Sequence, residues 1–337
     1  MKPKTNVVII CYGAYDYTKA TIGSLFEKTN TSFNLTVIDN GSDFQTREFL
    51  EYLQLPANCH KYKVVHNTRN MGVGYAYNQG FLASIEDGIK YTCFCNNDLY
   101  FSRGWLEILE DCLDKNPNVA MVNPLRPSTR THYDDRMSTM SRLMQVEETL
   151  DYKKELEDFM RVPIAEFDGF CKGIVSRNRG TSGSNIEFLK FPDSLSTCVC
   201  LANNNHIKQL GYFADPIFKK YGSEDVDTSW RVMRLGYDCA ISKDVYIHHF
   251  RGKSLQSTRL NRKELLKVSN RLLYTRWRRE ISIFLKEQLS RGVDVAHNLT
   301  AGTDEYWLLS QLNSDVDLLG AMQSWGRHER ETVSIKA

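Results

Sequence analysis

The sequence predicts an α/β protein in which a mostly parallel, doubly wound nucleotide-binding sheet is flanked by helices and followed by a helical C-terminal appendage. Three observations carry this expectation. Four short apolar runs alternate with helix-like segments between Val7 and Cys95, the alternation that builds parallel sheets with right-handed crossovers. The second, third and fourth of these runs break off into clusters of Asp and Asn, which belong at one edge of such a sheet. Beyond Ser254 the apolar spacing becomes helical.

Val7 to Cys11 is rich in β-branched residues, Gly13 breaks it, and Tyr17 to Lys28 places Ile22, Leu25 and Phe26 at helical spacing. Leu35 to Ile38 is a second strand, closed by Asp39-Asn40-Gly41-Ser42-Asp43, with a helix expected over Thr46 to Leu53. Tyr62 to His66 is a third strand, followed by Asn67 to Gly72 and a helix from Val73 to Ile85. Tyr91 to Cys95 is a fourth, apolar throughout as a strand buried on both faces would be. It ends in Asn96-Asn97-Asp98. A helix over Leu106 to Leu113 and a strand over Val119 to Asn123 come next. From Pro127 to Asp193 the pattern degrades into a charged helix-like piece, Arg142 to Met160, and a Gly/Ser/Asn-rich loop, Gly169 to Asn185. An insertion above the sheet of this kind carries substrate recognition in many folds. Ser196 to Ala202 resumes as a strand, Asn205 to Leu210 as a short helix, and Asp244 to His249 as a further strand. Asn261 to Leu289 reads as one long amphipathic helix with basic residues beside its apolar stripe, expected to pack on its own domain. Tyr306 to Trp325 is expected to cover it, and Arg327 to Ala337 to form a polar tail.

In parallel sheets ligands sit at the carboxyl ends of the strands, at the point where strand order reverses. Asp98, just past the fourth strand, is therefore a candidate metal ligand, because Mg²⁺ or Mn²⁺ takes one or two protein carboxylates with substrate phosphates completing its sphere. Asp39 holds the matching place after the second strand, where a carboxylate accepts hydrogen bonds from a ribose or a base. Both clusters are also ordinary turn sequences; their common edge favours a site. The acidic trio Glu224, Asp225 and Asp227 opens a helix, where the macrodipole favours negative charge, and equally offers a carboxylate placed as a general base. His248 and His249 end a strand, and alternation along it leaves open which of them turns inward.

The totals narrow the function further. The chain has 337 residues and a formal charge of +2, and no basic and aromatic stripe crosses the predicted sheet, so a nucleic-acid partner is not expected. Nine cysteines at irregular spacing, several inside apolar runs, read as buried thiols of a cytoplasmic protein. Cys93-x-Cys95 and Cys198-x-Cys200 lack zinc-site spacing. The apolar run near the N-terminus is too short to span a membrane. Oligomeric state is not legible.

Taken together, Val8-Ile-Ile-Cys-Tyr12, Val37-Ile-Asp-Asn-Gly-Ser42, Asn70-Met-Gly-Val-Gly-Tyr-Ala-Tyr-Asn78, Asn96-Asn-Asp98, Glu224-Asp-Val-Asp227 with Arg231, and His249-Phe-Arg-Gly-Lys-Ser254 resemble the inverting family 2 glycosyltransferases of the GT-A fold. The resemblance implies a nucleotide-sugar donor, a UDP-sugar foremost, and a glycan, polymer or protein acceptor. It implies a Mn²⁺ or Mg²⁺ cofactor held at Asp98, with Asn96 in the first position of the family's Asp-x-Asp element. His249 would complete the metal or diphosphate contacts, with His248 as its rival. Asp225 would be the general base with Glu224 beside it, and Arg231 would pair with an acid of the trio or reach the diphosphate. The donor pocket would be lined by Tyr12, Asp39, Asn40, Asn70, Gly72, Asn78, Asn96 and Asn97. A transferase domain over 1–255 and a helical region over 256–337 are expected. A nucleotidyltransferase is the rival enzyme, disfavoured because Tyr12-Gly-Ala-Tyr-Asp16 lacks a basic, glycine-rich phosphate loop. A non-catalytic sugar-nucleotide or glycan binder is disfavoured by the presence of both Asp98 and Asp225.

Overall fold

The computed structural model describes residues 2–127, 152–179, 185–219, 221–258 and 262–291. Four strands, β1 (Thr5–Cys11), β2 (Phe33–Asp39), β3 (Cys59–His66) and β4 (Tyr91–Asn96), pair in parallel in the order β3-β2-β1-β4. The helices between them are α1 (Tyr15–Lys28), α2 (Phe44–Glu51) and α3 (Val73–Glu86). The chain therefore winds outward from β1 to β3 and then returns to the far side of β1. This reversal opens a crevice at the carboxyl ends of β1 and β4.

Residues of β1 alternate between two cores, as burial on both faces of a sheet requires. Val7, Ile9 and Cys11 join one cluster with Leu25 of α1 and Leu106, while Val8 and Ile10 face Tyr77 and Phe81 of α3. Gly80 lets α3 approach this closely, since a Cβ there would fall 2.2 Å from Val8 Cγ1. Helix α2 is capped as its sequence allows, with Asp43 Oδ1 accepting from the Thr46 N–H at 2.8 Å.

The sheet continues through α4 (Trp105–Lys115), β6 (Val119–Leu125), β8 (Val199–Asn203) and β9 (Asp238–Tyr246) to an edge strand, β7 (Ile186–Phe188). Strand β8 runs antiparallel between β4 and β6, and β7 runs antiparallel to β9. The sheet is thus mixed on this side, because β8 enters from the insertion rather than through a crossover helix. Two residues after β4, β5 (Leu99–Tyr100) pairs with β10 (His248–His249) in a separate antiparallel ribbon. The strand expected over Asp244 to His249 is therefore divided: it starts earlier, at Asp238, and its two histidines belong to the ribbon.

The loop expected over Gly169 to Asn185 is instead helical as far as Arg179. In chain order the helices here are α5 (Tyr152–Met160) and α6 (Ile164–Arg179). Phe167, Phe170, Cys171 and Ile174 form a buried stripe on α6, and that periodicity outweighs the two glycines, of which Gly169 meets open space. Residues 128–151 and 180–184 of the insertion lie outside the described residues, as do Tyr306 to Trp325 and Arg327 to Ala337.

The C-terminal part continues with α7 (Asn204–Ile207), α8 (Glu224–Arg234), α9 (Lys253–Thr258), α10 (Arg262–Arg276) and α11 (Arg278–Ser290). The single helix expected over Asn261 to Leu289 is interrupted at Trp277, although hydrogen bonds from Trp277 N–H to Leu273 and from Ile281 N–H to Trp277 carry the turn across. Trp277 packs edge-to-face on Trp230 of α8, with ring centroids 5.4 Å apart, so the appendage is fastened to α8. No helix of the described residues is long and apolar enough to cross a membrane, and all nine cysteines are free.

Candidate active site

The crevice at β1 and β4 is where Asp98 sits, and the β5/β10 ribbon carries His249 to it. The segment after β10 wraps the aspartate: the Phe250 N–H donates to its carbonyl at 3.0 Å and the Lys253 N–H to Oδ2 at 3.2 Å. Oδ1 is buried and pairs with His249, whose Nε2 lies 3.1 Å away. Burial works against the Asp98 charge, yet His249 and Lys253 outweigh it and hold the carboxyl below its ordinary value. Burial likewise disfavours the His249 imidazolium, but the charges of Asp98 and Cys198 push it up to about 9.

The choice between the two histidines is settled by their surroundings. His248 faces the opposite way, stacked on Phe159 with centroids 4.9 Å apart and 3.1 Å from the Tyr246 hydroxyl through Nδ1. Burial, reinforced by the charge of His249, drives it down to about 3, so it is a neutral core residue. An oxygen and an imidazole nitrogen 3.1 Å apart fit adjacent positions around an octahedral ion whose ligands stand about 2.1 Å away. Among the described residues no group of three or more His, Cys, Asp or Glu could hold a metal. Asp98 and His249 are two groups, not three.

The acidic trio divides in the same manner. Glu224 and Asp225 open α8 after two residues with positive φ, Gly222 and Ser223. Glu224 is buried with Oε2 unpartnered, and burial with the neighbouring Asp225 charge raises it to about 8. Asp225 is partly exposed, accepts from the Val226 N–H at 2.9 Å, and is raised by burial. Asp227 instead points into the fold, with Oδ2 on Arg231 Nε at 2.8 Å and Oδ1 on Trp277 Nε1 at 2.9 Å. Arg231 completes its contacts on the Phe213 carbonyl at 2.6 Å and on Thr228. The guanidinium is thus held in an internal ion pair, and the structure does not bring it to Asp98.

Tyr77 links the two halves of the site. Its hydroxyl is 3.2 Å from Asn96 Oδ1 and 3.0 Å from the Thr197 carbonyl. Burial is the main reason it stays protonated, and the charges of Glu224 and Asp225 add to this. Asn96 Nδ2 in turn lies 3.5 Å from His249 Nε2. Tyr77, Thr197, Cys198, Arg126 and Lys253 were not singled out from the sequence. Arg126, whose charge lowers Cys198 and Asp225, could have been found by its place just past β6.

The polar residues expected around the donor form a closed network. Asp39 is wholly buried, with Oδ1 accepting from the Ser42 N–H at 2.7 Å and Oδ2 meeting His66 Nδ1 at 2.7 Å and Arg47 Nε at 3.0 Å. Asn40 donates to Asn70 Oδ1 and accepts from Asn67 and the Met71 N–H. Gly72, at φ 90, donates to Asn70 and accepts from Asn40. Asn78 exchanges both amide hydrogen bonds with the Ala214 backbone, at 2.7 and 3.0 Å. Asn97 donates to the Gly13 carbonyl and Thr18 and accepts from Ser254. Tyr12 follows β1 half-buried at the crevice.

A family model described as glycosyl transferase family 2 matches residues 6–177, just over half of the chain. No curated protein sequence matches it. Solved structures similar to it include GalNAc-T7 with UDP, GalNAc and Mn²⁺, at 16% identity and TM-score 0.49 over 73% of this chain and 44% of that one. Residues 1–349 of S. aureus TarS with UDP-GlcNAc align at 14% and 0.48, over 81% of this chain and 66% of that one. The Pyrobaculum calidifontis mannosyltransferase PcManGT with GDP-Man and Mn²⁺ aligns at 12% and 0.46, over 96% and 76%. The chain thus spans less than half of the GalNAc-T7 structure and just under two thirds of the TarS one.

Proposed function

The chain belongs to glycosyl transferase family 2, and from that premise we propose that it is a metal-dependent inverting transferase. It moves a sugar from a nucleoside-diphosphate sugar, a UDP-sugar foremost, to a hydroxyl of a glycan, polymer or protein, in the cytoplasm. The transfer unit is residues 1–255, with the helical region 256–337 attached to it. The observation that carries the reading is the buried Asp98 carboxylate at the sheet's reversal point, its Oδ1 3.1 Å from His249 Nε2.

Asp98 and His249 are the residues that would hold a Mn²⁺ or Mg²⁺ beside the donor's diphosphate. A divalent ion bound there supplies Lewis-acid stabilisation to the charge that builds on the leaving diphosphate. Asp225 takes the acceptor proton as that oxygen attacks the anomeric carbon from the face opposite the diphosphate. Its carboxylate is made more basic by burial, which suits a general base working near neutral pH. Burial and the neighbouring Asp225 charge favour the protonated form of Glu224. Tyr77, within reach of this pair's charge, bonds Asn96, which lies beside His249. Tyr12, Asp39, Asn40, Asn70 and Gly72 shape the donor pocket, the amides by fixing its backbone.

The test is a donor panel: purified protein with Mn²⁺ or Mg²⁺ and individual nucleotide sugars, followed by release of nucleoside diphosphate with and without EDTA. Turnover of one donor, abolished by EDTA and by Asp98→Ala, is expected. Failure of every donor both to turn over and to bind would sink the reading.

A further inference from the structure

The base-bearing turn is held from outside the transferase core. Residues 222 and 223 both have positive φ, at 86° for Gly222 and 68° for Ser223, and this pair directs the chain straight into α8 so that Glu224 and Asp225 occupy its first turn. A serine in this region is strained, and such a conformation persists only where its surroundings over-determine it. The constraint comes from α10. Ser223 Oγ is buried and donates to Asn270 Oδ1 at 2.8 Å rather than capping its own helix. Ser269 Oγ donates to the Tyr221 carbonyl at 2.7 Å, and a Cβ on Gly222 would fall 2.3 Å from Leu266 Cδ2. On the other side of the acidic pair, Trp277 Nε1 and Arg276 Nε reach Asp227 Oδ1 at 2.9 and 3.3 Å. The C-terminal helices therefore grip residues 221, 222, 223 and 227, which flank Glu224 and Asp225.

We infer that Asn270 is a positioning residue for the general base, acting through the Ser223 hydroxyl, and that the C-terminal helical region is a working part of the active site. The inference rests on the assignment of Asp225 as the base. Without the bond to Asn270, the Ser223 hydroxyl is buried unpaired and the turn relaxes toward negative φ, carrying Asp225 away from the acceptor. A misplacement on the scale of an ångström costs up to about a hundredfold in rate.

The experiment is steady-state kinetics on the full chain with the nucleotide sugar that the donor panel selects, comparing wild type, Asn270→Ala and the double variant Ser223→Gly/Asn270→Ala below their melting temperatures. Asn270→Ala is expected to lower kcat about ten- to hundredfold at unchanged donor affinity. Glycine tolerates positive φ, so the double variant is expected to recover most of the lost rate. The acid limb of the kcat profile of Asn270→Ala moves to lower pH, because Asp225 moved further into solvent loses part of the desolvation that raises its pKa. If Asn270→Ala does not fold, Ser223→Ala removes the same bond and carries the same expectation. Wild-type kcat in a folded variant overturns the inference, and so does a loss of rate with neither glycine rescue nor a shifted limb, which marks a structural role alone. Asp225→Asn is measured alongside: retained activity there refutes the base assignment itself, an outcome separate from failure at Asn270.

Discussion

Two polar clusters lie at the carboxyl edge of this sheet, and they differ in how completely their hydrogen bonds are met. Around Asp39, Asn40, Asn67 and Asn70 every amide named above finds a partner within the cluster, and the Asp39 carboxylate is enclosed by Ser42, Arg47 and His66. Around Asp98 and Asp225, Glu224 Oε2 and His249 Nδ1 are buried without a hydrogen bond, and Asp98 Oδ1 meets the His249 imidazole. A filled network fixes backbone shape. A buried acceptor left short of partners costs stability unless something else satisfies it, which is the opening this edge offers a ligand. The contrast is sharpest between adjacent histidines, one stacked in the core and one facing Asp98.

The largest effect expected is at the unmatched cluster. Asp225→Asn preserves shape and removes basicity, so kcat falls about 10²- to 10⁴-fold with donor affinity nearly unchanged. Single-turnover transfer beside calorimetric donor binding checks the split; a parallel loss of binding would move Asp225 from base to donor contact. Next, the histidine pair offers a direct comparison. His249→Ala is expected to abolish saturable Mn²⁺ binding measured by titration calorimetry, while His248→Ala leaves it intact and lowers stability by about 1–3 kcal/mol through lost packing in the Phe159 cluster. Equal metal affinity in both variants would break the comparison.

The fold was legible where one element does one task. Val7 to Cys11 and Tyr91 to Cys95 could be read as strands because burial on both faces leaves nearly continuous apolar runs, whereas β3, at the half-exposed edge of the sheet, was legible only by Tyr62, Val64 and Val65. Strands of two or three residues, β5, β7 and β10, carry too few positions for a period to show. Yet β5 and β10 make the ribbon that brings His249 to Asp98. The helix through Gly169 was hidden because glycine is a weak helix former whose cost is overridden by a buried aromatic stripe. At the site, Asp98 could be named from strand position alone. The inward histidine depends on a contact more than a hundred residues away that no local pattern encodes, whereas the Arg231 ion pair with Asp227 is an i,i+4 spacing open to view in the sequence.

A smaller effect is expected at the saturated cluster. Asn67→Ala leaves Asn40 Oδ1 and Gln79 short of partners, and an unmade buried hydrogen bond costs about 1–3 kcal/mol. Urea unfolding should show that loss while Mn²⁺ affinity stays unchanged. A drop in metal affinity as large as that of His249→Ala would mean that the two clusters are coupled.

The smallest effect, and the one that tests whether the saturated cluster is electrostatic as well as geometric, concerns His66. Its two ring nitrogens each lie 2.7 Å from a carboxylate oxygen, Nδ1 from Asp39 and Nε2 from Glu51, so both contacts are hydrogen bonds only while the ring carries both protons. Burial opposes that charge, but Asp39 and Glu51 outweigh it and raise the imidazole above its ordinary 6.5. A folded-state pKa above the unfolded one contributes stability that is fully present below about 6.5 and is lost as pH rises through the raised value. Unfolding free energies measured from pH 5.5 upward should therefore decline with pH more steeply in the wild type than in His66→Gln, which cannot titrate. Because Glu51 is exposed and its share of the pair is screened by solvent, Glu51→Gln should reduce that difference without removing it. Identical pH profiles for wild type and His66→Gln would show that the ring serves the cluster by shape alone.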